Sequence, residues 1–321
     1  MSERQETNQP IDVTHWRRDE DFAQYPEGAR DKSLVYCPMP PPYDFLKANH
    51  RYLFKLSSSR GKEQFWVEII AYRLGVEMDI LVPPAFIAFD SKENQCGALI
   101  EWFYDTSSED YIAGGDYCQQ LIPDFERKKG WQHNFETIAQ IFEGLKITDW
   151  KVYWSKALVF DALIGNTDRH QDNWGVIESF EYKEEKRIVK NMRISPVFDN
   201  GTSLGYEVLA SNFKNYDDAT RFQRYVTKGK HHLRWALNDS DRIGHAEMVR
   251  KIAAVYPEMR AIMMDCLGKV TAEIFKKILA ALVEFDVPVK LTPERSTFML
   301  KLLTLRHHRL LNELETQHAI Y

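Results

Sequence analysis

The period of the apolar pattern changes near residue 105, and this restricts the chain to a fold that keeps its strands and helices largely apart. Before that point, Arg51-Tyr-Leu-Phe-Lys-Leu56 alternates as a strand does. Val82 to Phe89 and Cys96 to Phe103 predict two more strands, joined by the polar turn Asp90 to Asn94. Between the first strand and these two, Lys62 to Leu74 sets Phe65, Trp66, Ile69, Ile70 and Leu74 at helical spacing, and Gly75 predicts its end. Beyond it, Thr106 to Asp116 reads as a loop. A helix capped by Thr148 or Asp149 runs through Trp150, Trp154 and Leu158 and stops before Gly165. Arg187 to Phe198 predicts a short hairpin around Asn191, and residues 245–321 read as mostly helical. The expectation is an α+β chain with three parts. These are a flexible N-terminus (1–24), a small strand-rich lobe (25–105) and a larger helical lobe (106–321), with the site expected in the cleft between the lobes.

Composition narrows the function. The 321 residues carry 42 Lys and Arg against 47 Asp and Glu, a net charge of −5, so direct nucleic-acid binding through a generally basic surface is not expected. Hydrophobic residues at 44% and charged residues at 28% exclude a disordered chain, a collagen repeat and a coiled-coil rod. Ile80 to Phe89, interrupted by Pro83 and Pro84, falls far short of the roughly 20 residues that span a bilayer, so no integral membrane segment is expected. The first residues lack an apolar signal core, which predicts a cytoplasmic protein and leaves open a secreted effector without a cleavable signal. Cys37, Cys96, Cys118 and Cys266 form no Cys-x-x-Cys pair and read as reduced thiols.

The most informative stretch is Gly165-Asn-Thr-Asp-Arg-His-Gln-Asp-Asn-Trp-Gly175, polar and loop-like after an apolar helix. A second acidic centre follows at Asp199, in Phe198-Asp-Asn-Gly-Thr-Ser-Leu204. Phosphoryl transfer needs these residue types: one carboxylate to take the proton of the attacking hydroxyl, and an amide oxygen and a second carboxylate to hold magnesium. The same residues also form turns, and spacing alone does not decide between the two. Other motifs fail. The stretch lacks the Gly and the twelfth-position acid of a calcium loop, and Gly61-Lys62 is followed by Glu63 rather than Ser or Thr. His231-His232 and His307-His308 have no metal-ligand partners at the usual spacings and suggest solvated or stacking roles. Upstream, Lys55 ends a predicted strand and Glu68 lies in the following helix, the order in which a kinase pairs its ATP lysine.

Taken together, Asn166-Thr-Asp-Arg-His-x-x-Asn173 and the Asp199 segment resemble the HipA-like family of bacterial serine/threonine kinases, with a two-lobed protein-kinase-like fold. The resemblance implies Asp168 as catalytic base, supported by His170, with Asn173 and Asp199 as magnesium ligands and Lys55, held by Glu68, as the ATP lysine. Gly28-Ala-Arg-Asp-Lys32 resembles the family's phosphate-covering loop, with Arg30 and Lys32 adding charge. Tyr25, Pro26 and Glu27 stand where the family prototype has an autophosphorylated serine. Adenine is expected against backbone groups of Glu101, Trp102 and Phe103. ATP and Mg2+ are the implied cofactors. The implied acceptor is a protein, with translation-related targets in the family, a growth-inhibiting role, and room for an antitoxin partner. Asp168-Arg-His-x-x-Asn173 also resembles the loop of phosphoinositide kinases, so a lipid or small-molecule acceptor stays open, as does an inactive binding module. Residues 221–234 are locally basic and read either as a docking segment or as a solvated loop.

Overall fold

The computed structural model describes Gln5 and residues 7–20, 31–57, 61–183 and 187–316. The first elements are β1 (Ile11–Asp12), β2 (Arg17–Arg18), β3 (Lys32–Tyr36), β4 (Arg51–Leu56), α1 (Phe65–Glu77), β5 (Ala85–Asp90) and β6 (Gln95–Glu101). There follow β7 (Glu109–Ala113), α2 (Gly114–Leu121), α3 (Phe135–Leu145), α4 (Trp150–Ile164), β8 (Gly175–Lys183) and β9 (Arg187–Ile194). The rest is helical: α5 (Ala219–Thr227), α6 (His245–Val255), α7 (Pro257–Gly268), α8 (Ala272–Val283) and α9 (Pro293–Glu315). The chain divides into two compact units. One comprises Met1–Trp102, Leu204–Asp218 and Val270–Thr304; the other comprises Phe103–Ser203, Ala219–Lys269 and Leu305–Tyr321.

The first unit is built on a six-stranded sheet in the order β1-β5-β6-β4-β3-β2, with β1 parallel to β5 and the other neighbours antiparallel. Strand β4 follows its alternation: Tyr52 and Phe54 enter a core with Val35, Phe86 and Leu99. Burying a ring of this size contributes about 2–3 kcal/mol. Helix α1 is buried on nearly every side, and its Trp66 indole donates to the Val289 carbonyl (3.0 Å). Three sequence expectations change here. Residues 11–18, expected to be flexible, are tied into the sheet, with Ile11 and Val13 wholly buried. Helix α1 runs past Gly75, because that residue packs too closely on Val82 to leave room for a side chain and so serves the helix interior. Strand β5 begins at Ala85 rather than Val82, since Pro83 and Pro84 have no N–H to give a ladder.

The second unit pairs a three-stranded antiparallel sheet, β7-β8-β9, with α2 to α7. Helix α4 packs with α6 and α7, and its residues from Ala157 to Ile164 are all buried. Its C-cap is Gly165 in the left-handed conformation (φ 73°), as the sequence predicts. The loop expected at 106–116 contains β7 and the start of α2, because β7 finds its partner β8 far along the chain. The hairpin expected around Asn191 is the β8–β9 pair instead, with Asn191 in mid-strand opposite Ser179. The four cysteines are free and buried. Burial pushes the Cys37 thiol up to about 11 and the Cys118 thiol up to about 12. Among the described residues, no helix is long and apolar enough to cross a membrane.

Candidate active site

In the first unit, antiparallel register puts Lys55 opposite Lys32 on one side and Ala98 on the other. Lys55 breaks the alternation of β4: it is buried, at 6% exposure, beside a buried Phe54. An ammonium is tolerated there because Glu68 of α1, also buried, accepts its hydrogen bond at 2.9 Å. The predicted strand-lysine and helix-glutamate pair is therefore formed. Lys32 lies in β3, whereas Gly28 and Arg30, like Tyr25 to Glu27, lie outside the described residues.

The predicted hinge is more heavily used by the protein itself. The Trp102 N–H donates to the Arg51 carbonyl (3.0 Å), and the Trp102 carbonyl contacts His50 Nε2 (2.9 Å). Arg193 donates to the Phe103 carbonyl (3.2 Å). Glu101 is buried; Lys47 binds one of its carboxylate oxygens, while Oε2 has no partner among the described residues.

In the second unit, the chain from Asn166 to Trp174 is shaped by its own short-range bonds. The Asp168 N–H donates to Asn166 Oδ1 (3.1 Å), and the His170 N–H donates to the Asp168 carbonyl (2.8 Å). The Asn173 N–H donates to the His170 carbonyl (2.9 Å). The Asn173 side-chain amide donates to the Asp168 carbonyl (2.7 Å), which leaves its Oδ1 as the atom available to a cation. Asp172 is not an alternative to Asp168, because Arg127 engages its carboxylate at 2.7 Å.

Arg169 holds this loop in place. It is fully buried and makes a two-pronged bond to Asp161 of α4, at 3.0 and 2.7 Å. It also donates to the Asn173 carbonyl (3.3 Å), the Phe198 carbonyl and Asn200 Oδ1 (2.7 Å). Thr202 donates to Asn166 Oδ1 (2.9 Å), a second tie between the two segments. The Asp168–Asn173 loop and the turn that carries Asp199 are thereby fastened together. Asp199 itself adopts φ 54°, a left-handed backbone that a non-glycine residue seldom takes and that is common where function dictates geometry.

Electrostatics follow from this closeness. Burial raises the Asp168 carboxyl above its ordinary value and the Asp199 carboxylate adds to the rise, while His170, Arg242 and Arg169 oppose it. A half-buried carboxylate with a raised pKa suits proton acceptance from a hydroxyl. The donor set for a metal is one amide oxygen and one carboxylate, and the described residues hold no cluster of three or more His, Cys, Asp or Glu that would cage an ion. Such a pair fits magnesium, which takes few protein oxygens and fills its shell with phosphate and water.

The sequence missed the supports around this loop. Asp161, a charge set among apolar residues of α4, was the readable signal for the Arg169 clamp. His245 Nε2 contacts the Asn166 carbonyl (2.8 Å), and Arg306 donates to the Ile164 carbonyl (2.7 Å). His133 accepts from the Trp174 indole (3.1 Å). The first member of each histidine pair is internal: His231 is wholly buried edge-on to His245, and His307 Nε2 contacts the Leu267 carbonyl (2.9 Å), whereas His232 is half-exposed and His308 exposed.

Comparisons with known proteins bear on the family and the fold. The family described as HipA-like C-terminal domain matches residues 26–273. The chain is similar to the crystal structure of the Helicobacter pylori proinflammatory kinase CtkA, at 14% identity and a TM-score of 0.74, over 96% of this chain and 98% of that one. It is similar also to Shewanella oneidensis MR-1 HipA, solved with HipB and operator DNA. There the identity is 13% and the TM-score 0.51, over 97% of this chain and 75% of that one. At these identities the likeness shows the fold, which is kinase-like and α+β. A comparison with curated proteins returns no match.

Proposed function

Because this chain belongs to the HipA-like C-terminal domain family, we propose that it is an ATP-dependent kinase that phosphorylates serine or threonine hydroxyls of a protein. The observation that carries this reading is the Arg169 clamp. It unites Asp168, Asn173 and the Asp199 turn, two motifs distant in sequence, in the combination that phosphoryl transfer needs. The buried Lys55–Glu68 pair adds the phosphate-binding cation.

In this reading Asp168 accepts a hydrogen bond from the acceptor hydroxyl and takes its proton as the oxygen attacks the γ-phosphorus. The bond from that phosphorus to the ADP oxygen breaks in the same displacement. Asn173 and Asp199 would hold Mg2+, which neutralises phosphate charge when bound. Lys55 neutralises the α- and β-phosphates, and Arg169 keeps the loop in register without touching the substrate. Glu101 Oε2 is the acceptor available for a nucleotide amino or hydroxyl group. Growth inhibition and a partner comparable to the HipB that accompanies HipA extend the proposal by family membership.

The test is incubation of the purified protein with γ-labelled ATP, magnesium and a cell lysate. Label in protein that disappears with Asp168→Asn supports the reading. Label confined to lipid transfers the same chemistry to a lipid acceptor, and no transfer at all refutes the assignment.

A further inference from the structure

The basic segment around residue 230 acquires a shape in the fold. Residues 229–233 run antiparallel to 243–245: the His231 N–H donates to the Ile243 carbonyl (2.9 Å) and the His245 N–H donates to the Gly229 carbonyl (3.1 Å). Side chains alternate along such a ribbon. His231 and Leu233 are wholly buried, while Lys230 is exposed and His232 half-exposed on the other face. That face borders a groove of about 680 Å3, which Lys228, Lys230, Arg242 and Lys251 also line.

Of these groove residues, Arg242 reaches the catalytic loop. Its guanidinium donates to His232 Nε2 at 2.7 Å, and the His232 ring stands edge-on to His170 at 5.8 Å. His170 in turn donates its N–H to the Asp168 carbonyl. The charge of Arg242 is also felt by Asp168. The groove is therefore tied through Arg242, His232 and His170 to the loop that carries Asp168.

Two features decide what fits the groove. Trp235, its aromatic, is already occupied: it stacks on Phe135 at 5.3 Å and carries Lys251 Nζ 4.5 Å from its ring centre. It therefore offers no platform for a nucleobase. Asp239, which accepts from the Ala236 N–H (3.0 Å), Asp241 and Glu247 also line the groove and would repel a continuous phosphate backbone. Discrete carboxylates spaced along a peptide can meet the lysines and avoid the acids.

We infer that this groove is the acceptor track, and that it takes a protein segment with acidic residues flanking the hydroxyl delivered to Asp168. The inference rests on the phosphotransfer reading for what happens to that hydroxyl, but the binding of the segment does not depend on it.

The experiment uses the full chain and two fluorescent peptides that share a central serine, one flanked by Asp and Glu, the other by Lys and Arg. Anisotropy reads binding, and ATP turnover, measured separately on the same preparation, judges the phosphotransfer reading on its own. The acidic peptide is expected to bind at least about tenfold more tightly at low salt. K228E/K230E should abolish that preference, whereas K276E/K277E, the same charge change on exposed lysines of α8, should retain it. Equal binding of the two peptides would overturn the inference. So would an equal loss in both double variants, or displacement of the acidic peptide by a single-stranded RNA oligonucleotide at lower concentration.

Discussion

Each unit buries an ion pair, and the two pairs do different work. Lys55 and Glu68 sit on a strand paired on both sides and on a regular helix. Arg169 and Asp161 are buried still more completely, but Arg169 lies in irregular chain and donates also to the carbonyls of Asn173 and Phe198 and to Asn200 Oδ1. A charge pair on regular elements is dispensable to the fold, so its presence points to a ligand. A charge that satisfies loop carbonyls is part of the fold, and its contribution to chemistry is the position it gives to others.

The largest effect separates chemistry from both pairs. Asp168→Asn and Asp199→Asn should each lower phosphate transfer by about a hundredfold or more, with the thermal midpoint nearly unmoved. Transfer at the original rate in either variant would break the assignment. Next, Asp161→Asn should destabilise by about 3–5 kcal/mol in urea unfolding, because it leaves the Arg169 guanidinium buried without its charge. Arg169→Lys should fail as well, since a single ammonium cannot reproduce the fork. Lys55→Met should destabilise by a comparable amount, because Glu68 then loses the ammonium that neutralises its buried charge; adding Glu68→Leu should recover much of that stability but not transfer. Rescue of stability by the corresponding apolar double change at Asp161 and Arg169 would erase the distinction drawn here.

The last effect builds up gradually: a slope with pH carried by histidines of the second unit. Burial pushes His133 and His231 down to about 3 and His232 down to about 4, and lowers His245 as well. The unfolded chain protonates these rings below their ordinary value of 6.5, whereas the folded chain does not. Stability is therefore full above about pH 6.5 and lost as pH falls toward 4, at no more than about 1.4 kcal/mol per pH unit for each ring. Urea midpoints measured between pH 7.5 and 5 check the sign; a flat profile would deny that the rings stay neutral.

What the sequence made legible was local. Period-2 alternation located β4, helical spacing located most of α1 and α4, and the motif order singled out Lys55, Glu68, Asp168, Asn173 and Asp199 as candidates. What it hid depends on partners far along the chain. Strand β7 looks like loop until β8 pairs with it, and Ile11 looks like part of a loose tail until β5 does. The ties from His245 to Asn166 and from Arg306 to Ile164 join residues too distant for any spacing rule. Asp161 alone gave a local sign, a carboxylate that an apolar helix could not hold without a buried cation.

The buried cysteines give the molecule a built-in reporter. Cys37 and Cys96 belong to one unit, Cys118 and Cys266 to the other. Shielded by burial, they should ignore a maleimide while the fold is closed. Each modification then marks an opening event, and peptide mapping tells which unit opened. Labelling rates with and without nucleotide would show, without any engineered probe, whether a ligand steadies one unit, the other, or both.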